Sequence, residues 1–146
     1  ENDPKPFAET TFEPSPLNRV IEQGAPGEAW QPGTGHTITK KYEFNTTSEV
    51  LLFKYDIATG LVSLAAIEAD KYYLPNQLNA GKTYDEHENE VIEYTDKQGR
   101  TVCKKVYAET IDNVRQYACT YYVYDDLGNL VVVLPPEGVK EILSQQ

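Results

Sequence analysis

The chain has few of the residues from which catalytic and metal sites are commonly built. Its 146 residues include two cysteines, two histidines, one tryptophan and no methionine. Two cysteines are too few for a scaffold held by disulfides. Neither His36 nor His87 stands at a metal-ligand spacing from another Cys, His or acidic residue. We therefore predict no catalytic residue, no cofactor and no metal, and we expect that the protein is not an enzyme.

Basic residues are also scarce, with 13 lysines and arginines against 23 acidic residues and a net charge of -10. An excess of acid repels phosphate backbones, so nucleic acid is not an expected partner. No apolar run approaches about 18 residues, and we therefore predict no membrane-spanning helix. A surface of this charge is typical of a strand-rich protein whose edges must not associate.

The first part of the chain differs in composition from the rest. Residues 1–36 hold six of the nine prolines. Because proline lacks an amide donor and fixes φ, we predict an extended segment without long helices or central strands. The segment also carries large apolar side chains such as Phe7, Phe12 and Trp30, and we expect it to pack on a sheet. Residues 37–146 form the sheet, within what we expect to be a single domain overall.

Short runs of β-branched and aromatic residues follow Thr37 and are separated by polar turns, a pattern typical of antiparallel strands. We predict an all-β fold of antiparallel hairpins arranged as a meander. A short C-terminal helix is expected within PEGVKEILSQQ (136–146), where a proline precedes an acid-led apolar pattern. The predicted strands cover residues 37–44, 50–56, 61–68, 90–95, 101–107, 115–124 and 130–134.

One short unit, Tyr-Asp followed by a turn, recurs between the predicted strands. YDDLGN (124–129) aligns with YDEHEN (84–89); YTDKQGR (94–100) has one extra residue, and YDIATG (55–60) is a looser copy. An Asp can bond amides two residues ahead, and a Gly three residues after it can adopt the left-handed conformation of a bulge. Glu88 stands where two copies have Gly, so we expect that turn to differ. The residues assigned to these turns are Tyr55, Asp56, Gly60, Tyr84, Asp85, Tyr94, Asp96, Gly99, Tyr124, Asp125, Gly128 and Asn129.

The two cysteines allow two interpretations. Cys103 and Cys119 lie in neighbouring predicted strands, and a hairpin centred on Ile111 would place them opposite each other. That register would permit a cross-strand disulfide. Two free, half-buried thiols are the alternative, and the sequence leaves the choice open.

Aromatic residues provide one candidate ligand surface. Flat rings stack on the apolar face of a sugar, so Trp30 with Tyr121 and Tyr122 can form a carbohydrate-binding platform. The same rings can instead have a packing role, with Trp30 fixing the proline-rich segment to the sheet. Paired acids such as Asp125 and Asp126 also suit glycoside hydrolysis or Ca²⁺ binding, but turn formation already accounts for Asp125.

Three stretches resemble a known family. YVYDDLGNLVVVLPPEG (122–138) and EYTDKQGRTVCKK (93–105) are similar to the units of Rhs, or YD-repeat, proteins. SPLNRVIEQGAPGEAWQPGTGH (15–36) resembles a domain of unknown function that precedes the repeats in Rhs-type surface proteins of Bacteroides-like bacteria. In that family the hairpins wind into a hollow β-shell that encloses a variable C-terminal toxin domain or presents a surface for cell contact.

The resemblance implies a non-enzymatic structural or interaction module, a strip of such a β-shell, in a bacterial protein that is secreted or at the cell surface. Its expected partner is the rest of the parent YD-repeat protein, with any cell-surface or toxin partner unidentified. Since the first residue is Glu1 rather than Met, we expect either a processed secreted chain or a segment of a longer one. The alternative function is a carbohydrate-binding module that uses Trp30 and exposed tyrosines.

Overall fold

The computed structural model describes residues 3–65 and 71–144, in which strands predominate. Eight strands form a sheet in the order β1-β2-β3-β6-β7-β8-β9-β10, and the remaining two, β4 and β5, pair with each other. The prediction of an all-β antiparallel meander with a short C-terminal helix is confirmed. The elements are β1 Glu9–Phe12, β2 Val20–Gly24, β3 Ile38–Phe44, β4 Phe53–Asp56, β5 Leu61–Leu64, β6 Asn79–Tyr84, β7 Glu90–Thr95, β8 Thr101–Ile111, β9 Val114–Tyr124, β10 Leu130–Leu134 and α1 Pro136–Ser144, with a 3-10 turn at Glu28–Trp30.

The sequence does not predict β1, β2 and β6. The expectation that residues 1–36 contain no central strand is wrong, because β2 pairs with both β1 and β3. Both missed strands of this region lie in proline-free intervals, and the prolines flank them. β6 has the sequence NAGKTY, whose Asn, Gly and Lys are depleted in strands, so only its pairing in the sheet reveals it. Residues 66–68 of the predicted strand 61–68 lie outside the described residues.

The chain divides into two compact units that differ from the predicted split at residue 36. Unit 1 contains Glu1–Tyr42 and Gly81–Val91, and unit 2 contains Glu43–Ala80 and Ile92–Gln146. Each unit is therefore built from two separate stretches of chain.

Unit 2 contains a hydrophobic core in which aromatic rings are central. Tyr94 and Val50 are fully buried, and the ring of Tyr121 meets the ring of Phe53 edge to face at 5.0 Å between centroids. Alternation along β7 explains how Tyr94 reaches the core, since successive side chains in a strand point to opposite faces. Ile92 and Tyr94 are accordingly buried.

Unit 1 has close backbone packing around Gly24, the last residue of β2. A Cβ at this position would collide with the carbonyl oxygen of Trp30 and lie 2.8 Å from Cδ of Pro32. The next segment is also held firmly, because the side-chain amide of Gln31 donates to the carbonyls of Phe7 and Ala25 at 2.9 Å. Gly24 therefore permits the 3-10 turn and the strand to approach each other.

We predict that Gly24→Ala destabilises unit 1 by roughly 1–3 kcal/mol, because the added methyl group overpacks a site bounded by backbone. Urea unfolding followed by the fluorescence of Trp30 measures this loss.

Gly138→Ala is the matched control, since a Cβ there lies at an ordinary 3.5 Å from Cδ of Pro135. Gly138 is inside α1, where alanine is favoured over glycine by about 0.5–1 kcal/mol, so its stability should not fall. An unchanged urea midpoint for Gly24→Ala would show that the close approach does not constrain the fold.

Candidate functional site

Three turns share one hydrogen-bond pattern and are called here the Asp turns: residues 85–89, 96–100 and 125–129. In each, the amide of the Asp donates to the carbonyl of the residue four positions later, at 2.9–3.1 Å. The amide of the residue three positions later returns a bond to the Asp carbonyl at 3.0 Å. These two bonds close the hairpins β6–β7, β7–β8 and β9–β10.

The Asp side chain completes each turn by accepting three N–H bonds. One carboxylate oxygen accepts the amides two and four residues ahead, as with Gln98 and Arg100 in the turn of Asp96, both at 2.9 Å. The other oxygen accepts a side-chain donor from the residue four positions ahead. These donors are Asn89 Nδ2 at 2.8 Å, Arg100 Nε at 2.7 Å and Asn129 Nδ2 at 3.0 Å.

The residue three positions after each Asp adopts a left-handed conformation. Gly99 and Gly128 have φ of 80° and 86°, as the sequence predicts, and Glu88 has φ of 62° in the same position. The expectation that the turn at Glu88 differs is therefore wrong. A non-glycine residue in this conformation costs about 1–2 kcal/mol, and the bonds that Asp85 accepts from its own turn offset that cost.

The looser copy at residues 55–60 uses the same chemistry with a longer loop. Asp56 accepts the amide of Ala58 and the hydroxyl of Thr59, both at 2.9 Å, and Gly60 donates its amide to the Asp56 carbonyl at 2.7 Å. Asp56 pairs with Leu61 in the β4–β5 register. Gly60 lies four residues after Asp56, whereas the glycine of an Asp turn lies three residues after its Asp.

Hydrogen bonding stabilises the charged form of the Asp side chains. The side-chain amides of Asn89 and Asn129 lower the pKa of Asp85 and Asp125. At Asp96, burial opposes ionisation, but the bonds and charge of Arg100 outweigh it and the pKa is again lowered. Each carboxylate therefore acts as a charged acceptor for its own turn.

Tyrosine hydroxyls of the predicted units have specific acceptors. Tyr124 donates to the carbonyl of Thr101 at 2.9 Å, and Tyr94 donates to the Glu49 carboxylate at 2.6 Å. In unit 1, Tyr84 donates to the carboxylate of Glu90 at 2.7 Å. Tyr124 thus bonds a backbone carbonyl, whereas Tyr94 and Tyr84 bond carboxylates.

Arg100 connects two Asp turns that lie side by side in unit 2. Its Nε binds Asp96 in its own turn, and its guanidinium lies 4.8 Å from the ring centre of Tyr124, which precedes the next Asp turn. A Cβ on Gly128 would lie 3.3 Å from Nη1 of the same side chain. Arg100 and Asn89 are not among the residues predicted for these turns, although the sequence has a polar donor four residues after each Asp.

The two cysteines do not face each other. Cys103 pairs with Tyr121 and Cys119 with Lys105, because the hairpin turns at Asp112 and Asn113 and not at Ile111. Both thiols are free, as the second interpretation has it, but Cys103 is fully buried and only Cys119 is half-buried. Burial raises the pKa of Cys103 to about 12, so this thiol is not an activated nucleophile near neutral pH.

The predicted platform of Trp30, Tyr121 and Tyr122 is not formed as expected. Tyr121 is only 4% exposed and belongs to the core of unit 2, so its assignment to a ligand surface is wrong. Tyr122 follows it directly in β9 and therefore points to the opposite face of the strand. Trp30 lies in unit 1 and is 41% exposed.

Trp30 lines an open cleft of about 690 Å³ in unit 1. We call it the Trp30 cleft. Its other lining residues are Asp3, Pro4, Pro26, Gly27, Glu28 and Ala29.

Residues 1–44 match the model of a domain of unknown function (DUF6443). The match is consistent with the expected domain ahead of the repeats, and it covers β1 to β3. No curated protein and no solved structure matches the chain significantly. Across residues 3–65 and 71–144, no helix is long and apolar enough to cross a membrane, and no three His, Cys, Asp or Glu side chains are grouped to hold a metal ion.

We predict opposite effects for two substitutions at equivalent positions of Asp turns. Gly128→Val should lower the free energy of unfolding by about 1–3 kcal/mol, because a β-branched residue resists a positive φ. Glu88→Gly should raise it by about 0.5–1 kcal/mol, because glycine relieves the left-handed strain.

Thermal melting by circular dichroism checks both signs, with Asp126→Asn as a control in the same turn as Gly128. A Gly128→Val variant that melts with the wild type would refute the constrained bulge.

Acidification should weaken the fold through the Asp turns. Their folded-state pKa values lie below the ordinary value of 3.8, so the stability they provide is present above that pH. This stability is lost as the pH falls through the folded-state values. The urea concentration at the midpoint of unfolding should therefore fall between about pH 5 and about pH 2. In the Asp96→Asn variant the midpoint should depend less on pH. Parallel curves for the variant and the wild type would contradict this role of Asp96.

Proposed function

We propose that the chain is a non-enzymatic structural and interaction module of an Rhs-like, YD-repeat protein that bacteria secrete or carry on their surface. The observation that carries the proposal is the repetition of one hairpin closure. Three Asp turns with the same bonds close three hairpins of a meander. A device copied along a chain favours an architectural role, because each copy positions strands rather than a reactive group.

Arg100 supports the same interpretation because it links one Tyr-Asp repeat to the next. It binds the carboxylate of Asp96 and covers the ring of Tyr124, which belongs to the neighbouring Tyr-Asp repeat of unit 2. Contacts between successive copies are what allow a repeated hairpin to build a continuous wall. In the parent protein such a wall would enclose or present a C-terminal effector.

The last strand of the sheet offers a place where the wall can continue. β10 stands at the end of the strand order, next to β9. Its residues Leu130 and Val133 are exposed, as is Leu127 in the preceding turn. An apolar strand at a sheet edge is a template for another strand, and further hairpins of the parent chain are the partner that we propose.

The chemistry of the turns supports a role without catalysis. The carboxylates of Asp85, Asp96 and Asp125 each accept three N–H bonds from their own turns. The buried thiol of Cys103 has a raised pKa. These groups serve the fold, and the carbohydrate-binding alternative has lost Tyr121 to the core.

Reading the open reading frame on both sides of Glu1 and Gln146 tests this proposal. We expect further copies of Tyr-Asp-x-x-Gly followed by Asn or Arg, ending in a variable C-terminal domain. A signal peptide directly before Glu1 and a stop codon directly after Gln146 would contradict it, because the chain would then be a free-standing secreted domain.

A further inference from the structure

The Trp30 cleft combines an aromatic ring with negative charge. The indole of Trp30 is 41% exposed. The acidic residues Asp3 and Glu28 belong to the lining, and among the described residues that line the cleft there is no lysine, arginine or histidine. Pro4 and Pro26 add rigid apolar surface. These properties favour a ligand that is cationic at one end and apolar along its stem.

The backbone holds the ring and one carboxylate in place around Gly27. With φ of 118°, Gly27 leaves room for its neighbours: a Cβ would lie 3.1 Å from Cδ1 of Trp30 and 3.4 Å from Oδ2 of Asp3. The amide of Trp30 donates to the Gly27 carbonyl at 3.0 Å, and the amide of Gly27 donates to the Lys5 carbonyl at 2.8 Å. The amide of Lys5 in turn donates to Oδ1 of Asp3 at 2.9 Å.

This arrangement leaves Oδ2 of Asp3 on the side of the indole, while Oδ1 secures the loop. The ring of His36 meets Trp30 edge to face at 5.5 Å between centroids, which braces the indole. A ring and a carboxylate that are fixed beforehand reduce the conformational entropy that the protein loses when a ligand binds.

Indole is the aromatic group that attracts cations most strongly, and a carboxylate beside it adds charge attraction and hydrogen bonds. The net charge of -10 also draws cations toward the surface. Guanidinium fits best because it stacks on the ring and binds a carboxylate at the same time. Its aliphatic stem can lie along the prolines.

We propose that the Trp30 cleft is a binding site for an arginine or lysine side chain of an extended polypeptide segment, with arginine preferred. The indole covers the face of the cation, and Asp3 and Glu28 accept its N–H groups. This site is independent of the proposed architectural role, since it does not use the Asp turns.

Trp30 is the one tryptophan of the chain, so intrinsic fluorescence reports directly on the cleft. The probe is the peptide acetyl-Gly-Pro-Arg-Gly-amide, titrated into the 146-residue chain. The matched control replaces arginine by citrulline, which has nearly the same shape and no charge. We expect a saturable change with a dissociation constant on the order of a millimolar for the arginine peptide and binding about tenfold weaker or more for citrulline.

Three variants test the individual groups by calorimetry, with circular dichroism confirming the fold. Glu28→Gln and Asp3→Asn should each weaken arginine binding about two- to fivefold, because each removes one exposed charge. Trp30→Phe should weaken it by about three- to tenfold, because phenylalanine attracts cations less than tryptophan does. Asp126→Asn removes the same charge outside the cleft and should leave binding unchanged.

Equal binding of the arginine and citrulline peptides would overturn the proposal, as would no saturable change. Tight binding of a neutral oligosaccharide that Glu28→Gln leaves intact would also overturn it and assign the indole to sugar stacking. Raising NaCl from about 0.05 M to about 0.5 M should weaken arginine binding, because exposed charges are screened, and insensitivity to salt would count against the cationic site.

Discussion

The carboxylate of Asp that accepts three N–H bonds inside its own turn is the interaction on which the sheet depends. It holds the residue three positions later in a left-handed conformation. It also fixes the pairing between the Asp and the residue four positions later, which closes the hairpin. Register decides which face of a strand is buried, because a slip by one residue exchanges the two faces. At β7 the turn of Asp96 thereby places Tyr94 in the core and leaves Glu93 exposed.

The three bonds to the Asp carboxylate also explain why the turn tolerates a residue that is unfavourable at a positive φ. Glu88 occupies the position of Gly99 and Gly128 and still has φ of 62°. The carboxylate of Asp85 accepts the amides of His87 and Asn89 and the side chain of Asn89, and these bonds offset the backbone strain. Glycine is therefore a refinement of the turn, whereas the Asp and the donor four residues later define it.

Local chemistry could be predicted from the sequence, and long-range register could not. The spacing of Asp96 and Asp125 to their glycines identified two turns because all the bonding groups lie within five residues of chain. The pairing of Cys103 with Tyr121 depends on the turn at Asp112 and Asn113 and on a shift between Tyr107 and Glu109, and no local pattern marks the shift. Strand alternation, by contrast, predicts that Tyr121 and Tyr122 point to opposite faces of β9. A platform that contains both residues is therefore inconsistent with the predicted strand.

The acidic composition has two different physical meanings within one chain. In the Asp turns, the carboxylates accept hydrogen bonds from backbone amides and from Asn or Arg side chains, and these bonds stabilise the fold. In the Trp30 cleft, Asp3 commits one oxygen to the amide of Lys5 and keeps the other beside an exposed indole. Engaged carboxylates have little attraction left for a ligand, whereas carboxylates that line an open cleft beside an aromatic ring retain it. Net charge alone does not distinguish these roles, and the hydrogen-bond partners of each carboxylate do.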